Sequence, residues 1–223
     1  MIPVKENTRP LIGVRYIGAG AGKEDGKILL DEVPGNALGA YLDGGEIEVH
    51  ANTQDATGDT MNAGRITVFG NTGDACGYAM RGGSIYIRGS AGYRAGIHMK
   101  EYREKRPILC IGGSAGSFLG EYQAGGIIVV LGIGFEDKVP VGSFCGTGMH
   151  GGKIFLRTRH LPADLPAQVV SHAVTDDDRA ELAPLVEEYC RLFGGDAGCY
   201  LSDTWFVLTP DSKNPYRQLY VNC

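Results

Sequence analysis

A chain of 223 residues, 43% of them hydrophobic and 21% charged, is long enough for one or two domains with a sizeable core and has the composition of an ordinary globular protein. Its formal net charge of −5 argues against an extended basic surface for nucleic acid. No apolar run approaches the ~18 residues a membrane-crossing helix needs, and the opening MIPVKENTRP has no signal-peptide core, so a cytoplasmic protein without membrane association is expected.

The 35 glycines are about twice ordinary usage and mark many tight turns. Residues 1–25 read as an N-terminal extension. Their Gly18, Gly20 and Gly22 form a G-x-G-x-G string with no amphipathic helix behind it, a weak basis for a phosphate cradle. From Gly26 a repeat begins: Gly26, Gly45, Gly64 and Gly83 fall 19 residues apart, then Pro107, Gly126 and Gly152 continue after insertions of five and seven residues. Two apolar columns keep the same register. One is Ile28, Ile47, Ile66, Ile85, Leu109, Ile128, Ile154, and the other, two residues on, is Leu30, Val49, Val68, Ile87, Ile111, Val130, Leu156. Alternation of this kind makes a short strand with one face inward. A turn glycine follows in each repeat at Gly35, Gly73, Gly92, Gly116 and Gly142, with Gln54 the exception. Four residues later stands an unbroken column, Gly39, Gly58, Gly77, Gly96, Gly120 and Gly146, and then Leu42, Met61, Met80, Met99, Gln123 and Met149. The expected fold is all-β: a right-handed parallel β-helix, or β-solenoid, of about seven coils over 26–158. Leucine-rich repeats and left-handed hexapeptide helices have other spacings.

The residue between each inward pair faces outward. It runs Glu48, Thr67, Tyr86 and then Cys110, Val129, Phe155, so the outer face turns apolar in later repeats and needs a cover. Residues 159–223 supply one. Thr175 followed by three aspartates is a helix start, and Leu182, Leu185, Val186, Tyr189 and Phe193 keep helical spacing up to Gly194-Gly195. Pro184 predicts a kink or a second helix start there, and a short C-terminal α-helical segment is the expectation. The rival cover is a partner subunit. Trp205–Leu208 reads as a strand leading to a docking tail that ends at Tyr220.

Candidate chemistry is sparse. Asp55 and Asp74 lie one repeat apart and could share a proton or cation; Asn36, Ser117 and Ser143 at equivalent positions favour side chains that bond turn backbone. His50, His98 and His150 occupy three different columns, and His160 and His172 stand apart from them. Cys76, Cys110, Cys145, Cys190, Cys199 and Cys223 make no C-x-x-C pair or zinc spacing and read as free thiols. No catalytic, cofactor-binding or metal-binding residue is assigned. The charged run 100–106 reads as a solvated loop. Arg81, Lys100 and His150 share a column and are candidates to line an interface.

The strings GDTMNAGRITVFGNTGDACGYAMRGG (58–83), GYRAGIHMKEY (92–102), GEYQAGGIIVVLG (120–132) and GTGMHGG (146–152) resemble the glycine-rich, GXGXG-type C-terminal domain of the glutamate synthase large subunit, in its stand-alone form. That resemblance implies a β-helix of seven turns acting as a strut in an enzyme that converts glutamine and 2-oxoglutarate to two glutamates. It places glutaminase (amidotransferase) chemistry, and the FMN, iron–sulfur cluster and 2-oxoglutarate, in partner subunits. No cofactor and no activity are then expected in this chain alone, and self-association of the isolated chain is left open. A related β-helix is a subunit of formylmethanofuran dehydrogenase, the alternative scaffold. The alternative of another class is a β-helical carbohydrate-acting enzyme using Asp55 and Asp74.

Overall fold

A computed structural model describes residues 11–211. The tail to Tyr220, Cys223 and the first ten residues lie outside the described residues. The strands are β1 (Lys27–Leu30), β2 (Asp43–Val49), β3 (Ala63–Val68), β4 (Ser84–Ile87), β5 (Ile108–Ile111), β6 (Ala124–Val130), β7 (Gly151–Arg157), β8 (Val169–Ala173) and β9 (Trp205–Pro210). The helices are α1 (Asp176–Phe193) and α2 (Ala197–Ser202). Strands β1 to β7 pair in parallel, each with the next, and the sheet continues through β9 to β8 by antiparallel pairing.

Register follows the repeat. Ile28 pairs with Ile47, Ile47 with Ile66, Ile66 with Ile85, Ile85 with Leu109, Leu109 with Ile128, and Ile128 with Ile154. From Ile47 on, this column is buried, as is the Met61–Met80–Met99 column. Like side chains therefore stack on like, and one continuous core runs under the sheet. The two insertions leave the register intact because they lie in loops between strands.

The expected fold class is corrected. The regular strands form one open, nine-stranded, mostly parallel sheet rather than a right-handed β-helix. Away from the sheet the repeats meet through single bridges, Thr53 to Thr72, Thr72 to Ala91, Ala91 to Ala115 and Ala115 to Val141, and through backbone hydrogen bonds between turns, such as the Gly58 N–H to the Leu38 carbonyl and the Gly77 N–H to the Thr57 carbonyl, without a second regular strand. The two antiparallel strands after β7 break the repeat altogether. The helix runs from its cap Thr175 to Gly194 as the sequence indicates, and its 18 residues pass through Pro184 as one helix.

That helix covers the apolar flank. Tyr86, Cys110, Ile127, Val129 and Phe155 form a second core with Leu182, Leu185, Val186 and Tyr189 of α1 and Trp205 and Val207 of β9. Val129 and Phe155 are fully buried, so this chain covers them itself. Each large apolar side chain buried here contributes roughly 1.5–3 kcal/mol. Thr175 caps the helix: its hydroxyl accepts from the Asp178 N–H at 3.2 Å, and the Asp178 carboxylate accepts from the Thr175 N–H at 3.1 Å.

Polar contacts at the rim fix the seat of α1. Lys153 Nζ lies 2.7 Å from Asp178 and 2.9 Å from Glu181, Arg106 reaches Glu181 at 2.5 Å, and Arg65 reaches Glu188 at 3.1 Å. Tyr189 donates its hydroxyl to the Arg88 carbonyl at 3.0 Å. Burial alone would raise the Asp178 carboxyl, yet Lys153 and the Thr175 bonds hold it well below the ordinary carboxylate range. The Lys153 ammonium, also opposed by burial, is held above its ordinary value by the same two acids. Among the described residues no helix is long and apolar enough to cross a membrane.

Candidate functional site

The turns opposite the sheet share one backbone device. In the repeat after β4, Arg94, Gly96 and His98 have φ of +58°, +69° and +58°, and in the next Phe118, Gly120 and Tyr122 have +61°, +65° and +54°. The same alternating left-handed triplet runs from Tyr16–Gly18–Gly20 to Phe144–Gly146–Gly148. The middle position explains the unbroken glycine column of Gly39, Gly58, Gly77, Gly96, Gly120 and Gly146. A Cβ on Gly39 would lie 2.7 Å from Ile66 Cδ1, and one on Gly120 would lie 2.8 Å from Ile154 Cδ1. Gly18 belongs to this column too, 2.7 Å from Ile47 Cδ1. The string Gly18–Gly20 is thus the first turn of the repeat, one turn earlier than the sequence suggests.

The flanking positions point away from the core and carry side chains despite the left-handed backbone, which costs roughly 1–2 kcal/mol per non-glycine residue. The first two turns place Tyr16, Ala37 and Tyr41 there, and the next two carry small groups: Ala56 and Thr60, then Ala75 and Ala79. Later turns place Arg94, His98, Phe118, Tyr122 and Phe144 there. Strained positions that hold bulky polar or aromatic groups are where function is sought.

Those groups form two adjoining ladders. His98 stacks on Tyr122 with centroids 5.2 Å apart and planes 10° from parallel, and Tyr78 meets His98 edge-on at 5.9 Å. Beside them Tyr93 meets Phe118 at 5.3 Å and Phe118 meets Phe144 at 4.9 Å. The Arg94 guanidinium lies over Tyr93 and Phe118 at 4.9 and 5.4 Å and pairs with the buried Glu121 at 2.9 Å. Tyr78, Tyr93, Tyr122 and Phe144 remain exposed. These aromatics were missed in the sequence, although the two columns that flank the central glycine would have shown His98, Phe118, Tyr122 and Phe144.

Arg81, Lys100 and His150 are brought onto the same face. Their amides bond the carbonyls of Met61, Met80 and Gln123, with Ala124 on Met99 between the last two, so the column is real and holds one gap. Arg81 donates to the His98 carbonyl at 3.3 Å. Among the described residues Arg81, Lys100 and Arg103 have no carboxylate within ion-pair distance, whereas Lys105 and Arg106 do.

The carboxylate pair is otherwise engaged. Asp55 accepts from the Asp74 N–H at 2.9 Å, and Asp74 accepts from the Tyr93 N–H at 2.8 Å. Asn52 and Asn71 do the same for Asn71 and Ser90, both at 2.8 Å. Each side chain therefore secures the backbone of the next repeat. His50 pairs with Glu48 at 2.7 Å and His172 with Asp178 at 3.3 Å. Burial pushes the Cys76 and Cys145 thiols up to about 12 and also raises Cys110. These sulfurs are inert, protonated core groups at neutral pH. Among the described residues no three His, Cys, Asp or Glu side chains are placed to hold a metal ion. A notch lined by Glu136, Arg157, Asp203 and Thr204 encloses about 20 Å³, room for one water.

Comparison with known proteins agrees with the repeated turn. An uncharacterized protein, MJ1350, from Methanocaldococcus jannaschii is 44% identical over 216 residues, covering 94% of this chain and 83% of that relative. The family described as GXGXG motif matches residues 7–212, which take in every left-handed triplet, so the chain belongs to the GXGXG motif family.

Proposed function

We propose that this chain is the non-catalytic scaffold subunit of a multi-subunit glutamate synthase. It holds a glutaminase subunit and an FMN/iron–sulfur synthase subunit together while they make two glutamates from glutamine and 2-oxoglutarate. The family match over nearly the whole chain carries the reading, because that family relates the chain to a domain of glutamate synthase. The structure supports it in a second way. The carboxylates best placed for chemistry bond backbone, and the stacked rungs make a stiff body suited to holding other proteins at fixed positions. FMN and the iron–sulfur clusters belong to the partners in this reading, and the compartment is the cytoplasm.

Affinity purification of the tagged chain from its native cell tests the proposal. The expected result is co-purification of a glutaminase-type and a flavin- and iron–sulfur-containing subunit, with glutamine-dependent glutamate formation in the complex. The chain alone is expected to be colourless. Recovery with the subunits of formylmethanofuran dehydrogenase, or a flavin spectrum in the isolated chain, would overturn it.

A further inference from the structure

Building on that scaffold reading, we infer that the turn face of the later repeats, centred on His98, Tyr122, Arg81 and Lys100, docks an acidic segment of a partner protein. Three observations lead there. Left-handed positions that hold Ala56, Thr60, Ala75 and Ala79 in two earlier turns hold Arg94, His98, Phe118 and Tyr122 in the next two, so bulk is kept against backbone cost on consecutive turns of this stretch. His98 and Tyr122 also use their faces on each other, while Phe118 leans on Phe144 with planes 32° apart. Stacked rings turn their edges outward, and ring edges are the positive part of the aromatic quadrupole. Outward ring edges attract carboxylates. Finally, Arg81, Lys100 and Arg103 lack carboxylate partners among the described residues, with Glu104 and the Arg106-paired Glu101 the exposed acids beside them, while Arg94 is already held by Glu121. This local positive excess stands in a chain of net charge −5, which disfavours a long polyanion and favours a short acidic stretch.

The test uses the full chain and a fluorescein-labelled peptide of alternating glutamate and serine, followed by anisotropy. Saturable binding is expected at low salt, weakening about tenfold as salt screens the charges. Replacing Arg81→Glu and Lys100→Glu together is expected to weaken it at least about tenfold. Lys138→Glu, exposed and outside this face, is expected to change it less than about twofold. Should the double reversal fail to fold, Arg81→Gln with Lys100→Gln is expected to weaken binding about threefold. A lysine–serine peptide binding equally well, or undiminished binding by the reversed chain, would overturn the inference. So would tighter binding of a single-stranded oligonucleotide. Purification from the native cell separates this from the scaffold reading. If the reversed chain recovers the same subunits as the natural one, the docking inference fails alone. If the natural chain recovers none yet binds the peptide, the scaffold assignment fails and the surface stands.

Discussion

The two faces of this molecule handle the same repeat in opposite ways. On the sheet face, outward residues turn apolar from Tyr86 onward, and the chain buries them under α1 and β9. On the turn face, aromatic groups also accumulate in later repeats, yet Tyr78, Tyr93, Tyr122 and Phe144 stay exposed and no element of the described chain lies over them. A protein that covers one apolar flank with its own helix and leaves the other open has separated stability from recognition. The sheet face holds the fold together; the turn face is available.

If that division is right, the largest losses of stability come from the sheet face. Phe155→Ala removes a fully buried ring between β7, β9 and α1 and is expected to cost about 3–5 kcal/mol in denaturant unfolding. Exposed Phe144→Ala on the turn face is expected to change stability by less than about 1 kcal/mol. Equal costs would erase the distinction.

Next comes the polar rim. Asp178→Asn weakens the bond to Lys153 and the cap of α1, for an expected cost of about 2 kcal/mol. The effect depends on pH. Asp178 is depressed in the folded state, so its contribution is fully present above about pH 3.9 and fades as acid protonates it. Lys153 is raised, so its contribution is present below about pH 10.4 and fades above it. Acid titration of the natural chain and the Asp178→Asn variant should therefore converge, whereas parallel curves would remove Asp178 from the seam.

Smaller effects separate positions within one turn. Gly39→Ala puts a Cβ at φ +64° against Ile66 and Ile47 and is expected to cost about 2 kcal/mol. Ala56→Gly, at a flanking position with φ +59°, is expected to leave stability unchanged or raise it by up to about 1 kcal/mol. A shared sign would mean that the middle and flanks of the turn are not distinguished by the core.

The repeat register was legible in the sequence because the inward apolar columns pair in one register from β1 to β7, with insertions confined to loops and shifts only at the starts of β2 and β6. Leu182, Leu185, Val186 and Tyr189 announced α1, and its N-cap Thr175 was readable beside them. The open sheet was not legible. Its last two strands run antiparallel and follow no repeat, and β8 is a short Val-Val-Ser-His-Ala segment with mostly exposed or half-exposed side chains. The seat of α1 on Lys153, Arg65 and Arg106 joins residues far apart in sequence, which no local pattern reveals. On the turn face, Arg81, Lys100 and His150 were visible as a column. The aromatic ladders went unread because they lie beside the inward apolar columns and share no residue with them.

Asn52, Asn71 and Asp55 each reach forward to an amide one repeat ahead, so every turn finds its place from the turn before it. The body is therefore graduated like a ruler. Splicing in one further 19-residue unit at the Gly45–Gly64 interval would move its two ends apart by a single strand spacing, about 4.8 Å, without disturbing either end. The distance between whatever proteins sit at those ends would then be encoded in the number of repeats.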